Sequence, residues 1–307
     1  VRRFLGATGR VLITGGVLVL LFVAYQLWGT GIYEARAQNR LKDEFQEQLR
    51  QSRATTTTAP TTTTGPAPTE PPPTVPTTEP APAAPIVANG GSVGIIDIPK
   101  IGLSKAFVEG VNVDDLRNGP GHYPGTPFPG QVGNAAVAGH RTTYGAPFEN
   151  LDQLVEGDEI RVQTLQGEFR YKVSERGPYV VDPDDSSPLD EAPNAATLTL
   201  TTCDPKYSAA QRLIVKANLV LPAGEVPLPA TVEPDAPEPE ISGLSGESSS
   251  RAPAILWGAI AAVVGMLWWL MFHRHPRWST WLVGAIPFVA ALFVFYTYLE
   301  RVLPSNY

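Results

Sequence analysis

ATLTLTTCDPKYSAAQRLIVKANLVL, residues 196–221, is the stretch on which the fold turns. Two strand-like runs, ATLTLTT and RLIVKANLVL, flank the turn signal Asp204-Pro205, and the first ends just before the single cysteine, Cys203. Alternating Thr and Leu suit a pleated strand with one buried face. Working outward, similar segments recur as SVGIIDIP (92–99), KAFVEG (105–110), NAAVAGH (134–140), EIRVQTL (159–165) and EFRYKVSER (168–176). Turn signals such as Gln166-Gly167 and Glu156-Gly157-Asp158 separate them. Short helices are expected from Asn112 and in FENLDQL (148–154). Many short strands with few helices predict an all-β fold, a closed barrel spanning 91–221.

The flanks have another character. Residues 11–28 form an uncharged apolar run near the lower length limit for a spanning helix. No small-x-small cleavage site follows, so 1–32 reads as an uncleaved anchor rather than a signal peptide. Two further runs, 252–272 and 278–299, with a short basic linker between them, predict a membrane hairpin over 251–307. Pro287 interrupts the last run, which a membrane helix tolerates. Three spans place the central domain opposite the N-terminus. Five basic residues lie near the spans on each side (Arg2, Arg3, Arg10, Arg274 and Arg277 against Arg36, Arg40, Lys42, Arg251 and Arg301), so charge alone does not orient the chain.

Residues 33–53 carry Leu41, Phe45 and Leu49 at i+4 spacing, which predicts a short amphipathic helix, read as a solvated juxtamembrane neck. Within the linker 54–90, residues 54–85 hold 12 Thr and 10 Pro and cannot bury a core. Extended polyproline II would let them reach roughly 100 Å, a stalk holding the domain off the membrane, with or without O-glycosylation. A second linker, 222–250, has six Pro and six acidic residues. The net charge of −7 argues against a nucleic-acid partner. One cysteine excludes a disulfide framework and a CxxC site.

Chemistry gathers around Cys203. A free thiol is only a few per cent thiolate at neutral pH, so nucleophilic catalysis needs a base or cation beside it. Arg212 lies nine residues on, and a hairpin between the two runs would bring it to Cys203. His140 ends NAAVAGH and could activate the thiol or protonate a leaving amine. His122, in GPGHYPGTPFPG, is a rival read as a loop residue. The bland alternative is a buried, inert core thiol. The acidic run Asp182, Asp184, Asp185, Asp190 and Glu191 reads as a solvated loop, with calcium binding the alternative.

TLTTCDPKYSAAQR resembles the sortase signature TLxTC followed by Arg in the next strand, and VAGHRTTYGAPFENLDQLVEGDEI resembles that family's histidine segment. The resemblance covers about 130 residues and both motifs occur in the family's order. It implies an eight-stranded β-barrel and a membrane-anchored cysteine transpeptidase. By that resemblance Cys203 is the nucleophile, His140 the general acid and base, and Arg212 the oxyanion or substrate stabiliser. Thr202 is a candidate for positioning the scissile carbonyl. Implied partners are secreted proteins with C-terminal LAxTG or LPxTG-like sorting signals and a peptidoglycan-precursor amine, with no metal or cofactor. GHYPGTPFPGQVGNAAVAGHRTTYG looks most like class E of high-GC actinobacteria. The C-terminal spans are typical of class C pilin polymerases, and although 54–92 lacks their Asp-Pro-aromatic lid, a class C-like pilin-polymerising sortase stays open as the alternative. Other cysteine hydrolases and a stalked, non-enzymatic surface protein are the remaining alternatives. An enzyme meeting sorting signals and wall precursors would face outward, with the N-terminus inside.

Overall fold

A computed structural model describes residues 2–57, 87–190, 192, 194–230, 251–272 and 278–302. The strands are β1 Ser92–Ile98, β2 Leu103–Glu109, β3 Gly121–His122, β4 Gly133–Ala138, β5 Glu159–Thr164, β6 Gly167–Val173, β7 Tyr179–Val181, β8 Ala196–Asp204 and β9 Gln211–Val220. They run in the order β6-β5-β1-β2-β3-β4-β8-β9, and a β6–β9 pairing closes this ring of eight. β7 lies outside the ring, paired with the first half of β9. Closure satisfies the edges that an open sheet would leave unpaired.

Alternation along the strands fills the barrel with Ile96, Ile98, Phe107, Val137, Leu198, Leu200 and Val215, all at most 1% exposed. Tyr171 is fully buried yet satisfied, because its hydroxyl accepts from the Gly130 N–H at 2.7 Å. β1 turns into β2 through a 3₁₀ turn, Pro99–Ile101, closed by Gly102 at φ +66°, a conformation glycine adopts without steric cost.

The all-β expectation is corrected: the fold is mixed α/β. A helix runs from α1, Arg2–Ala24, through a π turn at Tyr25–Gly29 into α2, Thr30–Thr57. α3, Val113–Leu116, starts at Asn112 with a capping box to Asp115. α4, Arg251–Phe272, and α5, Trp278–Val302, pack together as a hairpin. Segments of Leu12–Arg53, Arg251–Met271 and Val283–Val302 are long and apolar enough to cross a membrane, which makes this a multi-pass membrane protein.

The neck reading of 33–53 is corrected too. α2 is docked on the barrel, with Leu41 and Phe45 buried and Leu41 packed on Ala106 and Val108 of β2. Gln38 pairs with the Ala106 backbone, donating to its carbonyl and accepting from its N–H, both at 2.8 Å. Glu34 holds Lys105 at 2.7 Å. The i+4 apolar stripe signals burial but does not name the surface that covers it. Most of the Thr/Pro-rich linker, the later part of 222–250 and the basic linker between α4 and α5 lie outside the described residues.

Candidate active site

The antiparallel register of β8 and β9 sets Cys203 directly opposite Arg212. Opposed residues project from the same face, and Arg212 Nη1 stands 3.9 Å from Cys203 Sγ. Two carbonyls, Ala209 O at 3.2 Å and Gln211 O at 3.3 Å, also accept from that Nη1 and fix the guanidinium. Cys203 is 6% exposed, more enclosed than a strand end suggests.

β4 runs parallel to β8, with Ala138 beside Thr201. Two residues further on, the chain reaches His140 on the side of Cys203 away from β9. Hydrogen bonds tie this loop to the nucleophile strand: Gly139 N–H donates to Thr201 O at 3.1 Å, and Thr202 Oγ1 donates to Gly139 O at 2.7 Å. The Thr202 hydroxyl is therefore aimed at the histidine loop. Gly139 is required by close packing, since a Cβ there would stand 2.7 Å from the Phe148 ring. His140 is buried; its Nδ1 is 3.3 Å from Thr143 Oγ1, and its ring centroid lies 5.1 Å from that of Tyr144.

Burial dominates the electrostatics. It pushes the Cys203 thiol above its usual range, opposed by the cations Arg212 and Arg141. Burial, helped by the charge of Arg117, pulls His140 down to about 4. At neutral pH the resting pair is thus thiol and neutral imidazole. The combination able to attack and then protonate a leaving amine, thiolate with imidazolium, is a minor form.

His122 is not a loop residue. It lies in β3 at 1% exposure, with Nδ1 2.8 Å from Glu109 Oε2 and Nε2 3.0 Å from Pro127 O. Both ring nitrogens are engaged within the fold. Among the described residues, no three His, Cys, Asp or Glu side chains converge as metal ligands; Glu191 lies outside the described residues.

Residues 96–220 match the family profile described as "Sortase domain". The chain belongs to the sortase family. Sortase SrtE1 of Streptomyces coelicolor is 30% identical over 228 residues, 70% of this chain and 56% of its own length. Sortase D of Bacillus subtilis is 37% identical over 116 residues, 38% of this chain and 56% of its own length. The chain thus spans little more than half of these two relatives. A solved structure, a point mutant of sortase E from Streptomyces avermitilis, is 36% identical, with a TM-score of 0.39 covering 44% of this chain and 91% of that one.

This sortase domain also holds residues that sequence reasoning passed over. Arg141, 5% exposed, donates from Nη1 to Cys203 O at 3.0 Å, pairs closely with Asp204, and places Nη2 3.4 Å from Asp152. It fixes the backbone under the nucleophile. Arg117 and Tyr144 stand behind His140, with Arg117 Nε donating to Tyr144 Oη at 3.1 Å. The available signal was an arginine and a tyrosine in the same short loop as His140, HRTTY.

Proposed function

We propose that this protein is a membrane-embedded cysteine transpeptidase acting on cell-wall sorting signals. The observation that supports it is the convergence on Cys203 from both sides: Arg212 3.9 Å from the sulfur on one, and on the other the His140 loop, tied to the same strand through Thr202 and Gly139.

Cys203 thiolate attacks the carbonyl carbon of Thr in a Thr-Gly bond. The C–O π pair becomes an oxyanion, which the fixed Arg212 cation stabilises away from bulk water. The tetrahedral species collapses, the C–N bond breaks, and His140 imidazolium gives its proton to the departing Gly amine. A thioacyl enzyme remains. An amine of a peptidoglycan precursor then attacks the thioester, forming an amide and releasing Cys203, while the neutral imidazole takes the amine's proton. A thioester favours amine over water as acceptor, so ligation prevails over hydrolysis. Thr202 and Arg141 act in this scheme by positioning, the first holding the His140 loop and the second the Cys203 carbonyl.

The preferred signal is LAxTG, as in class E. The 30% identity to SrtE1 over 70% of this chain supports that class.

The test is intact mass of the full chain in detergent after incubation with an LAETG peptide. A thioacyl adduct, absent in Cys203→Ala and discharged by a soluble amine, is the expected result, with LPETG giving less. No adduct with either peptide in folded protein would sink the reading.

A further inference from the structure

The C-terminal membrane hairpin reaches the histidine loop. Near the end of α5, the Glu300 carboxylate accepts a close hydrogen bond from the Tyr144 hydroxyl. That hydroxyl also accepts from Arg117 Nε at 3.1 Å, so both of its roles are filled. Tyr144 and Arg117 are only 6% and 4% exposed. A carboxylate and a guanidinium enclosed this way are costly unless paired.

The spans that carry Glu300 are themselves held together. Tyr296 Oη donates to Leu18 O at 2.6 Å, and Tyr25 Oη lies 3.3 Å from Thr297 Oγ1. A cavity of about 110 Å³ sits where they meet the barrel, walled by Tyr25, Tyr33, Arg117, Tyr144, Thr297 and Glu300.

The loop needs such support. Tyr144 and Ala146 have φ of +49° and +43°, left-handed values uncommon for non-glycine residues. Thr30, at the start of α2, accepts the Tyr144 N–H at 3.1 Å while donating to Gln26 O at 2.8 Å. The loop is thus clamped from α2 and α5 together, and its Tyr144 ring lies against His140.

We propose that the C-terminal hairpin is a working part of the catalytic centre: Glu300 positions His140 through the Tyr144 hydroxyl and balances Arg117 behind it. This rests on the transpeptidase reading, in which His140 must carry a proton. The charged and titratable groups around the loop are Arg117 at the end of α3, Asp114 paired with it, Tyr144 and Arg141 in the loop, Asp152 and Asp204 paired with Arg141, Tyr25, Tyr33, Glu34 and Arg36 of the N-terminal helix, Glu300 and Arg301 of α5, Cys203 of β8 and Arg212 of β9. Arg117 opposes an imidazolium at His140. Asp114, its other anionic partner, is largely exposed and screened. Removing the Glu300 charge leaves Arg117 less balanced and His140 harder to protonate.

The experiment uses the full chain in detergent micelles, turning over a sorting peptide with a soluble amine across pH. Glu300→Gln and Tyr144→Phe are each expected to lower kcat about three- to tenfold with KM unchanged, for a His140 shift of roughly half to one pH unit. The acid limb of the kcat profile should move to lower pH by that amount. The double variant should lose little more than either single one. Parent-like kcat and acid limb in Glu300→Gln, or a rise in KM alone, would overturn the proposal. Titration of His140 by NMR of carbon-13-labelled histidine separates this idea from the activity it rests on. If the parent turns over no peptide, the transpeptidase reading has failed. A His140 titration still moved downward in Glu300→Gln would then uphold the positioning, and an unmoved one would end it.

Discussion

Cys203 and His140 are both held in their uncharged forms by burial, and this shapes how the thiol should behave. A raised thiol pKa means that the thiolate fraction, and with it alkylation by iodoacetamide, should reach half-maximum at a higher pH than for a free cysteine. Arg212 and Arg141 both oppose that rise. Arg212→Ala should therefore move the half-maximum further up and slow alkylation several-fold at pH 8. A parent-like pH curve in Arg212→Ala would mean that the guanidinium does not reach the sulfur electrostatically. The hairpin geometry that pairs these residues was legible in the sequence, because nine residues separate two strand-forming runs around a turn signal. The partners of Tyr144 were not. The most distant of them, Glu300, comes from α5, 156 positions away, and no local pattern announces a contact of that span.

At the scale of elements, α2 is the instructive case. Its periodicity correctly signals a helix with an apolar stripe, but charged residues around the stripe made a solvated neck the natural reading. The structure buries Leu41 and Phe45 against the barrel, because β2 presents the small side chain of Ala106 and a backbone segment that Gln38 can bridge. Full burial of one such side chain is worth about 1.5–3 kcal/mol. Phe45→Ala should cost roughly 3–5 kcal/mol, seen as a lower denaturation midpoint of the full chain in detergent, whereas the exposed Arg50→Ala should cost under about 0.5 kcal/mol. Equal midpoints for the two variants would show that α2 is not part of the cooperative unit. Seven of the eight barrel strands were far easier to read, since each is an alternating or apolar run with turn residues at its ends, whereas the two-residue β3 reads as a loop. The assignment to an all-β class failed because it treated the flanking helices as attachments rather than as part of the packed structure.

The whole molecule has its barrel between an N-terminal span and a C-terminal hairpin, with basic residues evenly shared between the two sides. Sorting signals and wall precursors are met outside the membrane, so the barrel belongs there under the transpeptidase reading. A reporter fused near Gly90 should be active only in its extracytoplasmic form, and a cytoplasmic signal would reverse the orientation. The docking of α2 then changes what the Thr/Pro-rich residues 58–86 can do. Polymer length sets the working height of a domain only when the polymer is its sole tether. Here α2 grips β2 before that segment begins, and Glu300 meets the His140 loop from the membrane side. Whatever path the intervening residues take, the contacts of α2 and α5 hold the barrel, and Cys203 with it, at a fixed distance from the spans. Under the transpeptidase reading, clients would have to bring their signals down to that level as they leave the membrane, because a barrel held this way would not reach up into the wall to find them.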